Sequence, residues 1–133
     1  MPVITSPSGA MFPYYYKGGE IFGTHTGGYH SDEQALLAMI KAEEDFIARS
    51  NRCLRLWMDF YGDALTDRVL NELLATIHRL LPHLFKLALV GFSFRDRWRF
   101  NQLKKRSGLG FPVPIRFFDD PEDAKTWLVR ETG

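Results

Sequence analysis

The sequence predicts a single α/β domain built on a mostly parallel sheet of four to five strands, with helices on both faces and a leading antiparallel edge strand. Three observations carry that expectation. Short apolar runs alternate with amphipathic stretches in the order β, β, α, β, α, β, α, β, α, a pattern that implies right-handed crossovers over a parallel sheet. The run Leu87-Ala88-Leu89-Val90-Gly91 is almost continuously apolar, as strands covered on both faces are. A hydroxyl or acidic cap stands before each helical stretch, at Ser31, Thr66, Ser93 and Asp119 or Asp120, where a side-chain oxygen accepts a free amide of the first turn.

Taken in order, residues 1–10 are rich in Pro, Ser and Gly and are expected to form a flexible N-terminus, which leaves 11–133 as the domain. Phe12 to Tyr16 and Glu20 to His25 flank Lys17-Gly18-Gly19; aromatics around a Gly pair predict a hairpin or bent edge strand. A polar, Gly-rich loop follows, ending at His30. Ser31-Asp32-Glu33-Gln34 reads as a capping box. Leu36, Met39, Ile40, Glu43, Phe46 and Ile47 then share one face of a helix that stops near Ser50-Asn51. Cys53 to Phe60 reads as a strand, broken by Tyr61-Gly62-Asp63. Thr66 opens a helix with Val69, Leu70, Leu73, Leu74, Ile77 and Leu81 as its apolar stripe, and Pro82 ends it because its ring cannot continue the ladder. Phe85 to Phe92 is the buried strand. Ser93 caps the next helix, which runs to about Lys105 and packs Trp98 on the sheet. Val113 to Phe118 is the last strand, with Pro112 and Pro114 placed as a strand start or edge allows. Pro121 and the acids Glu122 and Asp123 favour the start of a final helix anchored by Trp127 and Leu128.

Composition narrows the setting. With 133 residues, 45% hydrophobic and 25% charged, the chain is an ordinary globular one. The formal net charge of +1 gives no global field to attract nucleic acid. Charge is uneven: residues 1–50 carry a balance of −3 and residues 51–133 a balance of +4. A lone cysteine, Cys53, excludes an internal disulfide and fits a reducing, cytoplasmic setting; it is expected to be a buried structural thiol. No run approaches the ~20 apolar residues of a membrane span, and the first ten residues lack a signal-peptide pattern.

Three stretches resemble a known family. Trp57-Met58-Asp59-Phe60-Tyr61, Lys86-Leu87-Ala88-Leu89-Val90-Gly91 and the run from Ile115 through Asp119-Asp120-Pro121-Glu122-Asp123-Ala124 to Trp127-Leu128 are similar to SpoIIAA-like proteins of the STAS/SEC14-like superfamily. The resemblance covers roughly residues 20–130 and is most specific in its C-terminal stretch. It implies a four- or five-stranded sheet with a leading antiparallel strand. It also implies a protein-interaction role, with nucleotide binding in some relatives. Anti-sigma-factor antagonists of the family carry a phosphorylated Ser or Thr at the start of the helix after the central strand, and Thr66 holds that place. The surrounding text here, Gly62-Asp63-Ala64-Leu65-Thr66-Asp67, departs from the family's phosphosite context. SEC14-like relatives enclose lipids in a cavity larger than this chain is expected to form.

In an open parallel sheet, ligands gather outside the carboxyl ends of the strands. The loops expected there bring His25 and His30, then Asp59, Tyr61, Asp63 and Thr66, then Ser93 and Arg95, as candidates for contacting a ligand or partner. His25 and His30 follow no strong metal-ligand spacing, so no metal and no cofactor are assigned. No Gly-rich phosphate loop, nucleophile elbow or HExxH is present, so no residue is assigned as catalytic. Phe92 to Arg106 is the strongest local charge signal: six cations against Asp96, with Phe94, Trp98 and Phe100 interleaved. The chain is therefore expected to be a non-enzymatic interaction or regulatory module contacting a protein partner. That partner includes a second copy, met through Phe12 and Tyr14 to Tyr16, since tyrosines are enriched at interfaces. The alternative is a small-molecule or lipid-phosphate binder that holds an anion on the strand-end loops.

Overall fold

Helix placement in this chain follows from strand order. The computed structural model describes residues 4–12, 14–25, 32–50 and 52–130. A short antiparallel pair comes first, β1 (Ile4–Thr5) and β2 (Met11–Phe12). The main sheet has five strands side by side in chain order: β3 (Tyr14–Tyr16), β4 (Gly19–His25), β5 (Leu54–Asp59), β6 (Leu84–Val90) and β7 (Ile115–Phe118). The first pairing, β3 with β4, is antiparallel and the other three are parallel. Right-handed crossovers that always step to the next strand leave every connecting helix on one face. Helices α1 (Glu33–Ser50), α2 (Asp67–Leu80) and α3 (Phe94–Ser107) accordingly share one side of the sheet. Helix α4 (Pro121–Val129) follows the last strand and folds back over the other side alone.

Strand alternation divides the core in two. Phe22, Leu56, Met58, Leu87 and Leu89 face α1–α3 and join Leu36, Ile40, Val69, Leu73, Ile77 and Phe100 in the larger cluster. Ile21, Trp57, Ala88 and Val90 face α4 and meet Ala124, Trp127 and Leu128. The register shifts where Leu54 pairs with Leu84 and Arg55 with Lys86, so Phe85 is the extra, exposed residue of a bulge. Without that bulge, the apolar set of β6 would point to the wrong faces. Lys86 is buried on the α4 side, where its ammonium donates to the carbonyls of Trp127 and Arg130 at 2.9 and 3.0 Å and so caps the end of α4. Between α1 and α2, the buried Glu44 accepts from Arg79 Nε and Nη2 at 2.7 and 2.8 Å and from Thr76 Oγ1 at 2.8 Å.

The hairpin signal lies where the Gly pair placed it. Lys17 and Gly18 take φ of 46° and 83° and form the two-residue link between β3 and β4, the sign required by turns that match strand twist. Within the first ten residues, β1 leads into a closed turn in which Ser6 and Ala10 exchange backbone and hydroxyl bonds. Asp32 Oδ1 accepts the Ala35 amide at 3.1 Å in the first turn of α1, and Ser31, the expected cap, lies outside the described residues. Several expectations need correction. Cys53 precedes β5 and is exposed, because the strand starts at Leu54. Trp98 is exposed and Phe100 is the α3 residue that reaches the sheet, edge-on to Phe92 and Phe117. Of the tyrosine run only Tyr15 is exposed; Tyr14 and Tyr16 pack toward α4. The remaining caps fall on the expected residues. Thr66 accepts from the Val69 amide at 3.2 Å, Ser93 from the Asp96 amide at 3.1 Å, and Asp120 from the Glu122 amide at 2.9 Å.

Candidate functional site

The parallel register aligns the strand ends in one row. His25 pairs with Asp59, Asp59 with Val90, and Val90 with Phe118, so the turns that follow emerge along one edge. The β5 and β6 exits also touch. Gly91 has φ of +90°, and a Cβ there would lie 2.6 Å from the Tyr61 nitrogen, so only glycine lets the two backbones pass. The rim expected from the alternating pattern therefore exists as a place.

Most of its polar groups serve the chain itself. Asp59 Oδ1 accepts the Tyr61 amide at 2.9 Å, a local turn bond. The Asp63 amide donates to the Phe60 carbonyl. Thr66 Oγ1 accepts from the Val69 amide and donates to Glu33 Oε2 at 2.8 Å, while Arg68 reaches Glu33 Oε1 at 3.2 Å. A phosphate on Thr66 would replace that donor with negative charge beside the Glu33 carboxylate, at the N-terminus of α2 and near Arg68. Ser93 Oγ is committed to the α3 cap. Asp119 binds Arg97 Nη2 at 2.7 Å, tying the β7 exit to α3. His25 is exposed at the end of β4, with its amide held by Ser8 Oγ at 3.1 Å and its ring edge-on to Trp57 at 5.7 Å. His30 lies outside the described residues. Among the described residues, no three His, Cys, Asp or Glu side chains converge as a metal would need, and no helix is long and apolar enough to cross a membrane. Of the two other histidines, His78 in the last turn of α2 lies edge-on to Phe111 at 5.9 Å, and His83, just past α2, has its Nδ1 3.3 Å from the Arg52 carbonyl.

Among the described residues near the rim and along α3, three large hydrophobic side chains and the cation of Arg95 are exposed. Tyr61 is 74% exposed, Phe94 82% and Trp98 64%. Phe94 and Trp98 stand four residues apart on α3 and so share a face. Arg95 is exposed and makes no ion pair among the described residues. Arg97 stacks on Phe94, 5.1 Å from its centroid. Arg99 is tied inward to Asp67, Asp96 and the Leu65 carbonyl. The sequence marked Tyr61 and Arg95 but missed Phe94 and Trp98 as exposed residues. The spacing of Phe100 and Leu103 against Trp98 could have shown that the tryptophan faces away from the sheet.

No family model, curated protein or solved structure matches this chain.

Proposed function

We propose that this chain is a non-enzymatic binding module of the SpoIIAA-like type, which takes a protein partner on the strand-end rim and the adjoining outer face of α3. The observation that carries the reading is the exposure of Phe94 and Trp98, four residues apart on one face of α3, with Tyr61 exposed at the β5 exit. Tyr, Trp and Arg are the residues that dominate binding energy at protein interfaces, and the exposed Arg95 supplies a charge that no ion pair among the described residues takes up. The α3 segment carries six cations and one acid from Phe92 to Arg106, which favours a partner surface that is apolar with acidic neighbours. The resemblance at 57–61, 86–91 and 115–128 supports the family half of the proposal.

Selection from a random-peptide display library tests it. The wild-type protein is expected to enrich peptides that combine an apolar anchor with Asp or Glu, and the Phe94→Ser/Trp98→Ser double variant is expected to enrich none of them. Equal enrichment by both proteins, or none by the wild type, removes the proposal. Sedimentation of the same two proteins separates a second copy from a foreign partner: a dimer lost in the double variant makes the chain its own partner.

A further inference from the structure

On the opposite face of the sheet, a cavity of about 200 Å³ opens between the β4 edge, the Gly9-Ala10 turn and α4. Its construction begins with Gly23. The Trp57 indole reaches from β5 across β4 and lies on this glycine, where a Cβ would sit 2.2 Å from Cζ2. Tyr14 and His25 meet the indole edge-on, at 6.2 and 5.7 Å between centroids, and form the other ring walls. Lys125 crosses from α4, with its ammonium 5.2 Å from the Trp57 centroid and 5.8 Å from those of Tyr14 and Tyr16. The lysine side chain is 16% exposed, and its ion-pair partner Glu122, at 3.5 Å, is 63% exposed and also accepts the Tyr16 hydroxyl at 3.0 Å. Trp57 itself is only 5% exposed, and its indole Nε1 has no hydrogen-bond partner among the described residues.

We propose that this cavity binds a single-ring aromatic carboxylate. A cavity of roughly 150 Å³ lined by apolar groups holds benzene, so about 200 Å³ leaves room for one ring and a carboxylate. Three aromatic walls suit a flat ring in offset or edge-on contact. The partly desolvated Lys125 ammonium supplies the charge for the carboxylate. The site lies on the α4 side, away from α3, so it stands or falls independently of the protein-binding surface.

The ¹H–¹⁵N spectrum of the full chain provides the test, because each tryptophan gives its own indole signal. Trp57→Phe identifies the Trp57 signal by its disappearance. Benzoate is expected to shift that signal saturably, and to bind at least tenfold more tightly than benzyl alcohol, its neutral analogue, or inorganic phosphate. Lys125→Met, which keeps the aliphatic stem over the rings, is expected to weaken benzoate binding at least tenfold with the spectrum otherwise dispersed as in the wild type. The ligand comparison needs no variant, so it stands even if Lys125→Met folds poorly. A Trp57 signal that benzoate does not move, equal binding of benzoate and benzyl alcohol or phosphate, or undiminished binding by a folded Lys125→Met overturns the proposal.

Discussion

Replacing Gly23 by alanine is expected to destabilise the protein because the new Cβ would meet the Trp57 indole first. The new Cβ would lie 2.2, 2.3 and 2.4 Å from Cζ2, Cε2 and Cη2, closer than carbon atoms approach in folded proteins. The indole is nearly buried and sits under Lys125 at 5.2 Å, so it must shift as a plate or force the strands apart. Overpacking of this kind costs about 1–3 kcal/mol, and three simultaneous ring contacts place the change toward the upper end. In a Trp57→Leu background the obstruction is gone. Alanine then replaces glycine in a strand interior, a gain of about 0.5–1 kcal/mol. The double-mutant cycle should therefore show a coupling of about 1.5–4 kcal/mol. Trp57→Leu is itself costly, up to the ~3–5 kcal/mol seen for Trp→Ala. All four proteins are thus best unfolded by urea in the presence of one stabilising osmolyte, followed by far-ultraviolet circular dichroism. Equal costs of Gly23→Ala in both backgrounds, to within about 0.5 kcal/mol, would refute the packing of the indole on Gly23 and with it the floor of the aromatic cavity.

Two further predictions separate the buried residues from the exposed ones. Phe100→Ala should cost about 3–5 kcal/mol, because Phe100 is fully buried against Phe92 and Phe117. Trp98→Ser should stay within about 0.5 kcal/mol of wild type, and the reverse ranking in urea denaturation would mean that α3 is rotated about its axis. Glu44 gives a pH signature. Burial tends to raise its pKa, but the hydrogen bonds from Arg79 and Thr76 and the charges of Arg79 and Lys41 outweigh it and hold the carboxyl below 4.5. A carboxylate depressed in this way contributes stability above its unfolded value and loses it as pH falls through its folded one. The stability gap between wild type and Glu44→Gln should therefore be full near neutrality and shrink below pH 4.5; a gap that persists unchanged in acid would remove Glu44 as the source.

Much of this architecture was legible because the physics involved is local. Thr66, Ser93 and Asp120 cap their helices with their own side chains, and Lys17-Gly18 turns the hairpin through its own dihedrals. Strand ends gather on one rim because parallel pairing leaves no other arrangement. What the sequence did not reveal depends on which face a residue takes. On α3 the stripe through Phe100 and Leu103 is short, and six cations blur it, so Trp98 looked like core. Cys53 looked like part of β5 because it adjoins an apolar run, yet the first paired residue is Leu54. Tyr14 and Tyr16 were read as an outer surface because nothing in the sequence shows that α4, more than a hundred residues later, supplies Glu122 and Thr126 to the Tyr16 hydroxyl.

The aromatic cavity follows from the sheet order more than from any motif. Neighbouring strands stand about 4.8 Å apart, so five of them span about 19 Å, while one helix with its side chains is about 10–12 Å across. Three helices cover the first face comfortably. The second face has only α4, whose nine residues extend about 13–14 Å at 1.5 Å per residue. Side chains must cover the uncovered flanks. On the β7 flank, Arg116 lies across Phe118 and Trp127, at 5.4 and 5.7 Å from their centroids. On the β3–β4 flank, the Trp57 plate, Tyr14, Tyr16 and the Lys125 stem take that role, with Gly23 bare beneath the indole. Large flat rings tile a surface with gaps at their edges, and the gap left here is lined by Tyr14, His25, Trp57 and Lys125. A fold that steps its strands in one direction therefore concentrates packing on one side and leaves the other, thinner side as the natural place for a small ligand.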